Sequence, residues 1–408
     1  MRRIKRYFVI CVFALTMLAL FASVMWFNNF QSSQDNYSVQ LASLIDSEWG
    51  SYSSNFSGFG GGIAVFISSP KGDYFVSANM GNVTADIHFR AASTTKTFTG
   101  AAILLLQQQG KLQINDKITN NIPGTDVPYV PSSNEYAIPY KDEITIKQLL
   151  EHRAGVFDVS NSPIPENVSA PYAGQYYLDY IKENQSQPEH TFTFDELVNV
   201  VASNNLSYSP PGTSFHYSNT GCSILGKIIE RVSGMSYAAF MEQYFLGPSI
   251  LSETFFPDEG SDRNIPFPFA DGYVWSQGSL YDATIENMSP HVAEGNLITT
   301  PNNLARWVRL LYSGHTGVNQ TYINQMMDVK PTGEEHGVYG LCTTYNDGLG
   351  YGHNGAHAGY LTVMRYDPTN DVAIVIFTTG FNADDLYQEL YFIYDLGHSA
   401  KKILGYDN

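Results

Sequence analysis

The sequence contains few cysteines and none of the commonest hydrolase motifs. Only three cysteines occur in 408 residues, and the spacing of Cys222 and Cys342 fits no metal-binding cluster. We expect both as buried free thiols, with a disulfide between them left open. The Gly-x-Ser-x-Gly elbow of α/β-hydrolases and the His-Glu-x-x-His zinc motif are also absent, as is any internal repeat. These absences exclude the α/β-hydrolase and zinc-peptidase patterns.

Positive charge is also scarce. The chain has 22 Lys and Arg against 39 Asp and Glu, which gives a formal net charge of −17. This acidic balance argues against nucleic acid, or an anionic membrane surface, as the main partner. Hydrophobic residues make up 43% and aromatic residues 14%, so the composition allows a large packed core and does not suggest disorder.

Long apolar runs are limited to one, Tyr7–Phe27. At about 1.5 Å per residue this run could cross a hydrocarbon core of ~30 Å, and the basic residues before it would keep the N-terminus inside. The alternative is a cleaved signal peptide, although Val24–Phe27 lacks the small residues of a cleavage site. We therefore predict that residues 1–27 are a membrane anchor or signal peptide and that 28–36 are a linker. The rest would lie outside the cytoplasm, as a single-pass membrane protein or, after cleavage, as a secreted one.

Strand-like runs occur at both ends of the remaining chain. Gly62–Ser68 and Tyr74–Asn79 flank a turn sequence and predict a hairpin; later runs occupy 338–344, 360–366 and 372–378. Because two strands alone are only marginally stable, we expect the early and late strands to share one sheet. The predicted fold class is α+β: an antiparallel sheet of about five strands covered by helices, beside a mainly helical lobe. Residues 37–408 would form a single domain.

Helical periodicity fills the space between these strands. The predicted helices cover residues 37–49, 93–109, 146–153, 219–232 and 384–404. Two long irregular stretches, 156–190 and 256–292, either border an active site or are surface loops.

The first candidate catalytic pair is Ser93 and Lys96. At positions i and i+3 of a helix, their side chains share one face, and the serine lies near the positive end of the helix dipole. A lysine next to a buried hydroxyl can lose its proton when it is desolvated and then act as a base. Ser68 and Lys71 have the same spacing, but the intervening Pro70 and the turn residues that follow exclude a helix there.

Two further short motifs follow along the chain. Tyr217 and Asn219 form a Tyr-x-Asn pair whose phenol can relay a proton and whose amide can hold a substrate carbonyl. His353 and Gly355 form a His-x-Gly pair that leads into a strand, where the glycine would allow a substrate backbone to approach closely. Each motif alone is weak, so their weight comes from their order and context.

In this order the motifs resemble those of the serine β-lactamase and penicillin-recognising superfamily. The most similar branch contains class C β-lactamases and D-Ala-D-Ala carboxypeptidases, which have a Tyr-x-Asn second motif. The resemblance extends over roughly residues 40–400. The segments that carry it are Phe89–Lys96, Ile144–Gly155, Tyr217–Gly221, Glu294–Thr300 and Gly352–Tyr360.

The resemblance implies a role for each site residue. Ser93 would attack the carbonyl carbon, and Lys96 and Tyr217 would share the proton transfers. Asn219 would position the substrate amide, while His353 would lie beside Tyr217 and tune its proton. The backbone N–H groups of Ser93 and Ala356, the residue after Gly355, would form the oxyanion hole. No metal or organic cofactor is implied.

One position departs from the family pattern. The middle residue of the third motif is usually Thr or Ser, whose hydroxyl binds a substrate carboxylate, whereas here it is Asn354. The nearby His357 is interpreted as a satisfied histidine rather than a ligand.

The resemblance therefore predicts an extracytoplasmic serine hydrolase that forms an acyl-enzyme with small peptides, amides or esters. Peptidoglycan fragments or β-lactams are among the possible substrates. The alternatives are an esterase or D-aminopeptidase of the same fold, and a catalytically silent binding ectodomain.

Overall fold

The structure, a computed structural model, describes residues 34–247, 251–334 and 337–406. Within these ranges no helix is both long and apolar enough to cross a membrane. The predicted localisation, as a single-pass membrane protein or a secreted one, is corrected on this finding. The run Tyr7–Phe27 on which it depended lies outside the described residues. So do residues 28–33 of the predicted linker, whereas residues 34–36 already belong to the first helix.

The helices of the described residues are α1 (34–53), α2 (Thr95–Gln108), α3 (Ile146–Leu150), α4 (Tyr177–Asp179), α5 (Phe194–Ser203), α6 (Asn219–Ser233), α7 (Tyr237–Met241), α8 (Pro301–Tyr312), α9 (Gln320–Met326) and α10 (Leu386–Ile403). The five predicted helices are present among them with shifted ends, as α1, α2, α3, α6 and α10, and the other helices were not predicted.

The strands lie at the two ends of the domain and in the stretch 256–300. They are β1 (Ile63–Ser69), β2 (Gly72–Ala78), β3 (Phe89–Ala92), β4 (Tyr273–Ser276), β5 (Ser279–Asp282), β6 (Leu297–Thr299), β7 (Lys330–Pro331), β8 (Val338–Tyr339), β9 (Thr344–Asn346), β10 (Gly350–His357), β11 (Tyr360–Asp367), β12 (Val372–Thr378) and β13 (Gly380–Asn382).

The main sheet confirms the predicted class and enlarges it. Among the described residues it has eight antiparallel strands, in the order β2-β1-β12-β11-β10-β9-β8-β7, rather than about five. The early hairpin does join the late strands, through β1 and β12. The strand predicted at 338–344 is interrupted because Gly340 N–H donates to Thr343 O at 2.8 Å. Cys342 has a φ of 54°, which closes the turn.

Alternation along β1 shows that the sheet is buried on both faces. Ala64 and Phe66 belong to one apolar cluster, together with α2 and α8, whereas Ile63, Val65 and Ile67 belong to another, together with α1 and α10. We call the side packed against α2 the near face and the side packed against α1 and α10 the far face.

Aromatic stacking fixes the segment between β3 and α2 on the near face. The ring of Phe89 stacks on Phe377 of β12 with centroids 4.0 Å apart. Phe98 of α2 stacks on Trp307 of α8 at 3.6 Å. Since all four side chains are buried, the turn that connects β3 to α2 is held from both ends.

Candidate active site

Ser93 lies in the tight turn between β3 and α2. The preceding Ala92 has a φ of 50°, in the left-handed region that L-residues with a Cβ rarely adopt. Such a conformation costs on the order of 1 kcal/mol or more and persists only where the surroundings enforce it. Lys96 N–H donates to Ser93 O at 3.1 Å, so the regular helix begins at Thr95, two residues later than predicted. The partly buried Ser93 side chain is therefore presented by a strained and well-anchored turn.

Lys96 is fully buried and makes a complete set of hydrogen bonds. Its Nζ donates to Ser93 Oγ at 3.0 Å, to Asn219 Oδ1 at 2.7 Å and to Glu294 O at 2.8 Å. The carboxylate oxygen Oε2 of Glu294 lies 3.3 Å from the same nitrogen. Burial favours the neutral amine, but the adjacent Glu294 carboxylate favours the ammonium form, and the pKa of Lys96 is raised. The contact with Glu294 therefore favours the ammonium form of Lys96, and desolvation alone does not make this lysine a base.

Tyr217 lies over this ammonium ion. Its ring centroid is 4.7 Å from Lys96 Nζ, a cation–π distance. Burial raises the pKa of Tyr217 to about 12, although the positive charge of Lys96 and hydrogen bonding with Lys96 and Ser93 oppose the shift. The phenol therefore faces both members of the Ser93–Lys96 pair and is neutral at rest.

Asn219 reaches the site because α6 begins at this residue. The hydroxyl of Ser218 caps the helix by accepting from Gly221 N–H at 3.1 Å, and the Asn219 N–H donates to Asp158 Oδ2 at 3.1 Å. Burial raises the pKa of Asp158 to about 6, while the Asn219 hydrogen bond lowers it. The Asn219 side chain is already engaged by Lys96, so its amide is held next to the serine.

A chain of neutral side chains connects two of the site's histidines. Ser218 N–H donates to His152 Nδ1 at 3.1 Å, which leaves the His152 proton on Nε2, 3.1 Å from the Tyr339 hydroxyl. That hydroxyl then donates to His353 Nε2 at 2.9 Å, and His353 Nδ1–H donates to Asn354 O at 2.5 Å. A backbone donor at one end and a backbone acceptor at the other thus determine every proton position in the chain.

Both histidines of this chain are held uncharged. Burial and the positive charge of Lys96 lower the pKa of His353 to about 3 and place the pKa of His152 well below its usual range. The ring centroids of His353 and Tyr217 are 6.3 Å apart, whereas those of His152 and Tyr217 are 4.3 Å apart. The histidine beside Tyr217 is therefore His152, and His353 lies farther away, bonded to Tyr339.

The third motif places its glycine, but not its asparagine side chain, against the serine turn. A Cβ on Gly355 would lie 2.3 Å from Ala91 O and 3.0 Å from Ser93 N, so only glycine allows β10 to pass this close. Ala356 follows as an exposed residue of β10, paired with Leu361. The Asn354 side chain instead accepts from the hydroxyl of Tyr394, on α10, at 3.4 Å.

The structure also corrects the expectation that His357 is a satisfied histidine. Its Nε2 is buried and finds no hydrogen-bond partner among the described residues, so this histidine is not a satisfied one. Its ring packs edge-on against His291, with centroids 4.8 Å apart.

Across the described part of the chain, no group of three or more His, Cys, Asp or Glu side chains could hold a metal ion. Cys222 and Cys342 are buried free thiols, as expected.

Comparison with known proteins identifies the family. The family model described as Beta-lactamase matches residues 61–396, which is most of the chain. The chain belongs to the beta-lactamase family. Among curated relatives, Penicillin-binding protein 4* of Bacillus subtilis (strain 168) is 26% identical over 294 residues, 68% of this chain and 58% of that protein. The chain thus spans little more than half the length of this relative.

Solved structures share the beta-lactamase family fold at low sequence identity. A D-stereospecific amidohydrolase from Streptomyces sp. has a TM-score of 0.69 at 21% identity, with 84% of this chain and 94% of that chain covered. The D-amino acid amidase from Ochrobactrum anthropi SV3, complexed with L-phenylalanine amide, has a TM-score of 0.70 at 19% identity, covering 91% and 98%. The family match and these structural similarities agree on the fold of the chain.

The structure adds residues that the motif analysis did not name as part of the site. His152 and Glu294 lie inside two segments that resemble this family, so the signal was present without an indicated role. Tyr339 and Asp158 lie outside those segments. Their positions depend on contacts such as that between Tyr339 and His152, which are 187 positions apart in the sequence.

Proposed function

We propose that this protein is a serine hydrolase that forms an acyl-enzyme at Ser93 with small amide or ester substrates. The observation that carries the proposal is the convergence of Ser93 Oγ and Asn219 Oδ1 on Lys96 Nζ, at 3.0 and 2.7 Å, beneath the ring of Tyr217. Acyl transfer requires a nucleophile and a neighbouring group that accepts its proton. Ser93 is placed to be the first, and Lys96 with Tyr217 is placed to be the second. A silent binding protein would have no need of a buried ammonium ion against a serine hydroxyl.

The steps of the proposed reaction follow from this arrangement. Once the Lys96–Tyr217 pair has lost one proton to solvent, Ser93 Oγ attacks the substrate carbonyl carbon and its own proton passes to the deprotonated member of that pair. The N–H groups of Ser93 and Ala356 stabilise the oxyanion, an assignment supported by the close passage of β10 at Gly355. Tyr217 then returns the proton to the leaving group, and water hydrolyses the ester after activation by the same pair.

The substrate class is narrowed by Asn354. Its side chain bonds with Tyr394 and supplies no hydroxyl where family members usually bind a carboxylate. This favours substrates without a terminal carboxylate, such as amino acid amides and esters, over carboxypeptidase or β-lactam substrates. The two structural neighbours that are named for D-amino acid amides and D-stereospecific hydrolysis support D-configured amides as the first to test.

We also assign the whole of residues 37–408 to one catalytic domain. The reason is that β10, which passes the serine turn, belongs to a sheet begun by β1 and β2 at the other end of the chain. Neither end could build the site without the other.

Two covalent probes test the proposal on the full chain. A fluorophosphonate and a fluorescent penicillin should be applied separately, followed by hydrolysis assays with D- and L-phenylalanine amide. We expect labelling by the fluorophosphonate, weak or no labelling by the penicillin, and release of ammonia from the D-amide. Ser93→Ala must abolish the labelling, while Ser68→Ala, which alters the other Ser-x-x-Lys match, must not.

The outcomes separate the candidate functions. Strong penicillin labelling at Ser93 would favour a carboxypeptidase-like or β-lactamase-like enzyme over an amidase or esterase. A folded protein that neither probe labels would show that the nucleophile assignment is wrong and would favour a silent binding protein.

A further inference from the structure

The carboxylate of Glu294 is a buried charge in direct contact with Lys96. Its side chain is about 3% exposed, and its Oε2 lies 3.3 Å from Lys96 Nζ. The same residue also contacts the lysine through its backbone oxygen, at 2.8 Å. A carboxylate in this position is costly to bury unless it is paired and hydrogen-bonded, and here both conditions are met.

His291 orients this carboxylate. Its Nδ1 lies 2.6 Å from Glu294 Oε1, and the two residues are connected by a tight turn in which Glu294 N–H donates to His291 O at 3.1 Å. Ala293, immediately before the glutamate, has a φ of 67°, so the turn itself is strained. The side chain of His291 is about 15% exposed, which places it between the buried carboxylate and solvent.

The other polar groups around Lys96 carry no compensating negative charge in contact with it. Ser93 and Asn219 contribute neutral oxygens, Tyr217 is a phenol, and Cys222 on α6 is a buried thiol. His152 and His353 are uncharged, and Asp158, whose pKa burial raises to about 6, interacts with Lys96 and Glu294 through its charge but contacts the site through the backbone of Asn219. Glu294 is therefore the carboxylate that acts most directly on the lysine.

We propose that Glu294 is a positioning residue that sets the pH at which the Lys96–Tyr217 pair can accept the Ser93 proton. This inference rests on the proposed function. In the acylation step the Ser93 O–H bond breaks, the Oγ–carbon bond forms, and the proton moves to whichever member of the pair has lost its own. The negative charge of Glu294 stabilises the fully protonated pair, which cannot accept a proton, so it delays activation to higher pH.

This arrangement predicts the direction of a change in pH dependence. Replacing the carboxylate by a neutral amide removes a negative charge that favours the ammonium form, so the pKa of Lys96 falls. The lysine charge, no longer neutralised by the carboxylate, also lowers the pKa of Tyr217. Both effects lower the pH at which the pair loses its first proton. The rising limb of the pH–rate profile should therefore move to lower pH in Glu294→Gln, by about one to two pH units for a charge at this distance.

The experiment measures the second-order rate of fluorophosphonate labelling of Ser93 from about pH 6 to pH 10. We expect the wild-type rate to rise with pH and the Glu294→Gln rate to rise earlier. Glu294→Asp, which keeps the charge, should return the profile toward that of the wild type. His291→Leu removes the N–H that orients the Glu294 carboxylate and should give a smaller shift of the profile in the same direction. If Glu294→Gln fails to fold, the pH profile of His291→Leu is the test of the inference.

The outcomes distinguish this inference from the proposed function. A lower rate at every pH with an unchanged profile, in folded Glu294→Gln or His291→Leu, would mean that the glutamate is only structural and would overturn the inference alone. A folded wild-type chain that never reacts would overturn the proposed function and this inference with it.

Discussion

The two faces of the main sheet differ in the kind of side chain they bury. On the near face the protein buries Lys96 against Glu294 and keeps left-handed backbone at four non-glycine residues next to or within the site: Ala92, His152, Ala293 and Cys342. On the far face, aromatic side chains of α1 and α10 pack on one another beside apolar strand residues, as where Tyr52 stacks on Phe392 with centroids 4.5 Å apart. The left-handed backbone beside the site is held in place by the packing around it, because the near face carries the larger of these two apolar clusters.

The largest expected effect sharpens this comparison on the near face. Tyr217→Phe removes the phenol that handles the proton but keeps the ring over Lys96. We expect kcat/KM to fall by about 10²–10⁴, while the free energy of unfolding changes by less than about 1 kcal/mol. Steady-state kinetics and urea unfolding measure the two quantities. Tyr345→Phe, at a partly exposed position, is the matched control; an equal loss of activity in both variants would refute the assigned role.

The reverse result is expected on the far face. Trp49 is 3% exposed in the cluster with Tyr52 and Phe59. Trp49→Ala should lower the free energy of unfolding by about 3–5 kcal/mol and leave kcat/KM unchanged below the unfolding transition. Tyr387→Ala, on the exposed side of α10, should be nearly neutral. A large activity loss in folded Trp49→Ala would break the division between the two faces.

A buried carboxyl on the far face gives a smaller, pH-dependent effect. Burial raises the pKa of Glu389 from 4.5 to about 7, against hydrogen bonds from Thr378 and Asn382. Because the folded state holds this proton more tightly, its stabilising contribution is present below pH 4.5 and is lost as pH rises through about 7.

Glu389→Gln should remove this dependence. Glutamine can still accept from Asn382 N–H and can donate to the Thr378 hydroxyl, so the site stays satisfied. The variant should gain up to about 3 kcal/mol relative to the wild type between acid and mildly alkaline pH. Urea unfolding across that range tests the sign, and a difference that does not change with pH would contradict it.

The smallest expected effect concerns Tyr339. Tyr339→Phe leaves His152 Nε2 without its acceptor and His353 Nε2 without its donor, which should cost about 1–3 kcal/mol of stability. Because the rings remain packed, we expect kcat/KM to fall by roughly tenfold or less. Thermal unfolding and kinetics measure both, and a variant as stable as the wild type would mean that the hydrogen-bonded chain is not stabilising.

Local patterns in the sequence predicted the parts of the site that depend on local geometry. The contact of Ser93 with Lys96 follows from their spacing, and the dismissal of Ser68 holds because that residue lies in β1. The starts of α3 at Ile146 and α6 at Asn219 agree with the predicted ranges, since Thr145 and Ser218 before them are residue types that cap helices. We predicted the α+β class and a sheet shared by early and late strands because a two-stranded hairpin is only marginally stable alone.

The charge state of Lys96, and contacts between residues far apart in the sequence, could not be predicted from local patterns. Whether Lys96 is neutral depends on Glu294, which lies 198 positions away, and no spacing rule connects them. The motif placed Asn354 next to His353 and close to a strand, but it did not place the Asn354 side chain against Tyr394. Strand β7 escaped prediction, and β8 and β9 were predicted as one strand over 338–344, because runs of two or three residues carry no periodicity.

The pairing of β1 with β12 has a consequence for the time at which the enzyme becomes active. Gly62 N–H bonds the hydroxyl of Thr379, 317 positions later, so the sheet can close only when its C-terminal strands are present. Strand β10, which presses on the serine turn, leaves the ribosome long after Ser93 does. A nascent chain would thus carry an unassembled serine until these later strands are made, and it would acquire its reactivity only after they have joined the sheet.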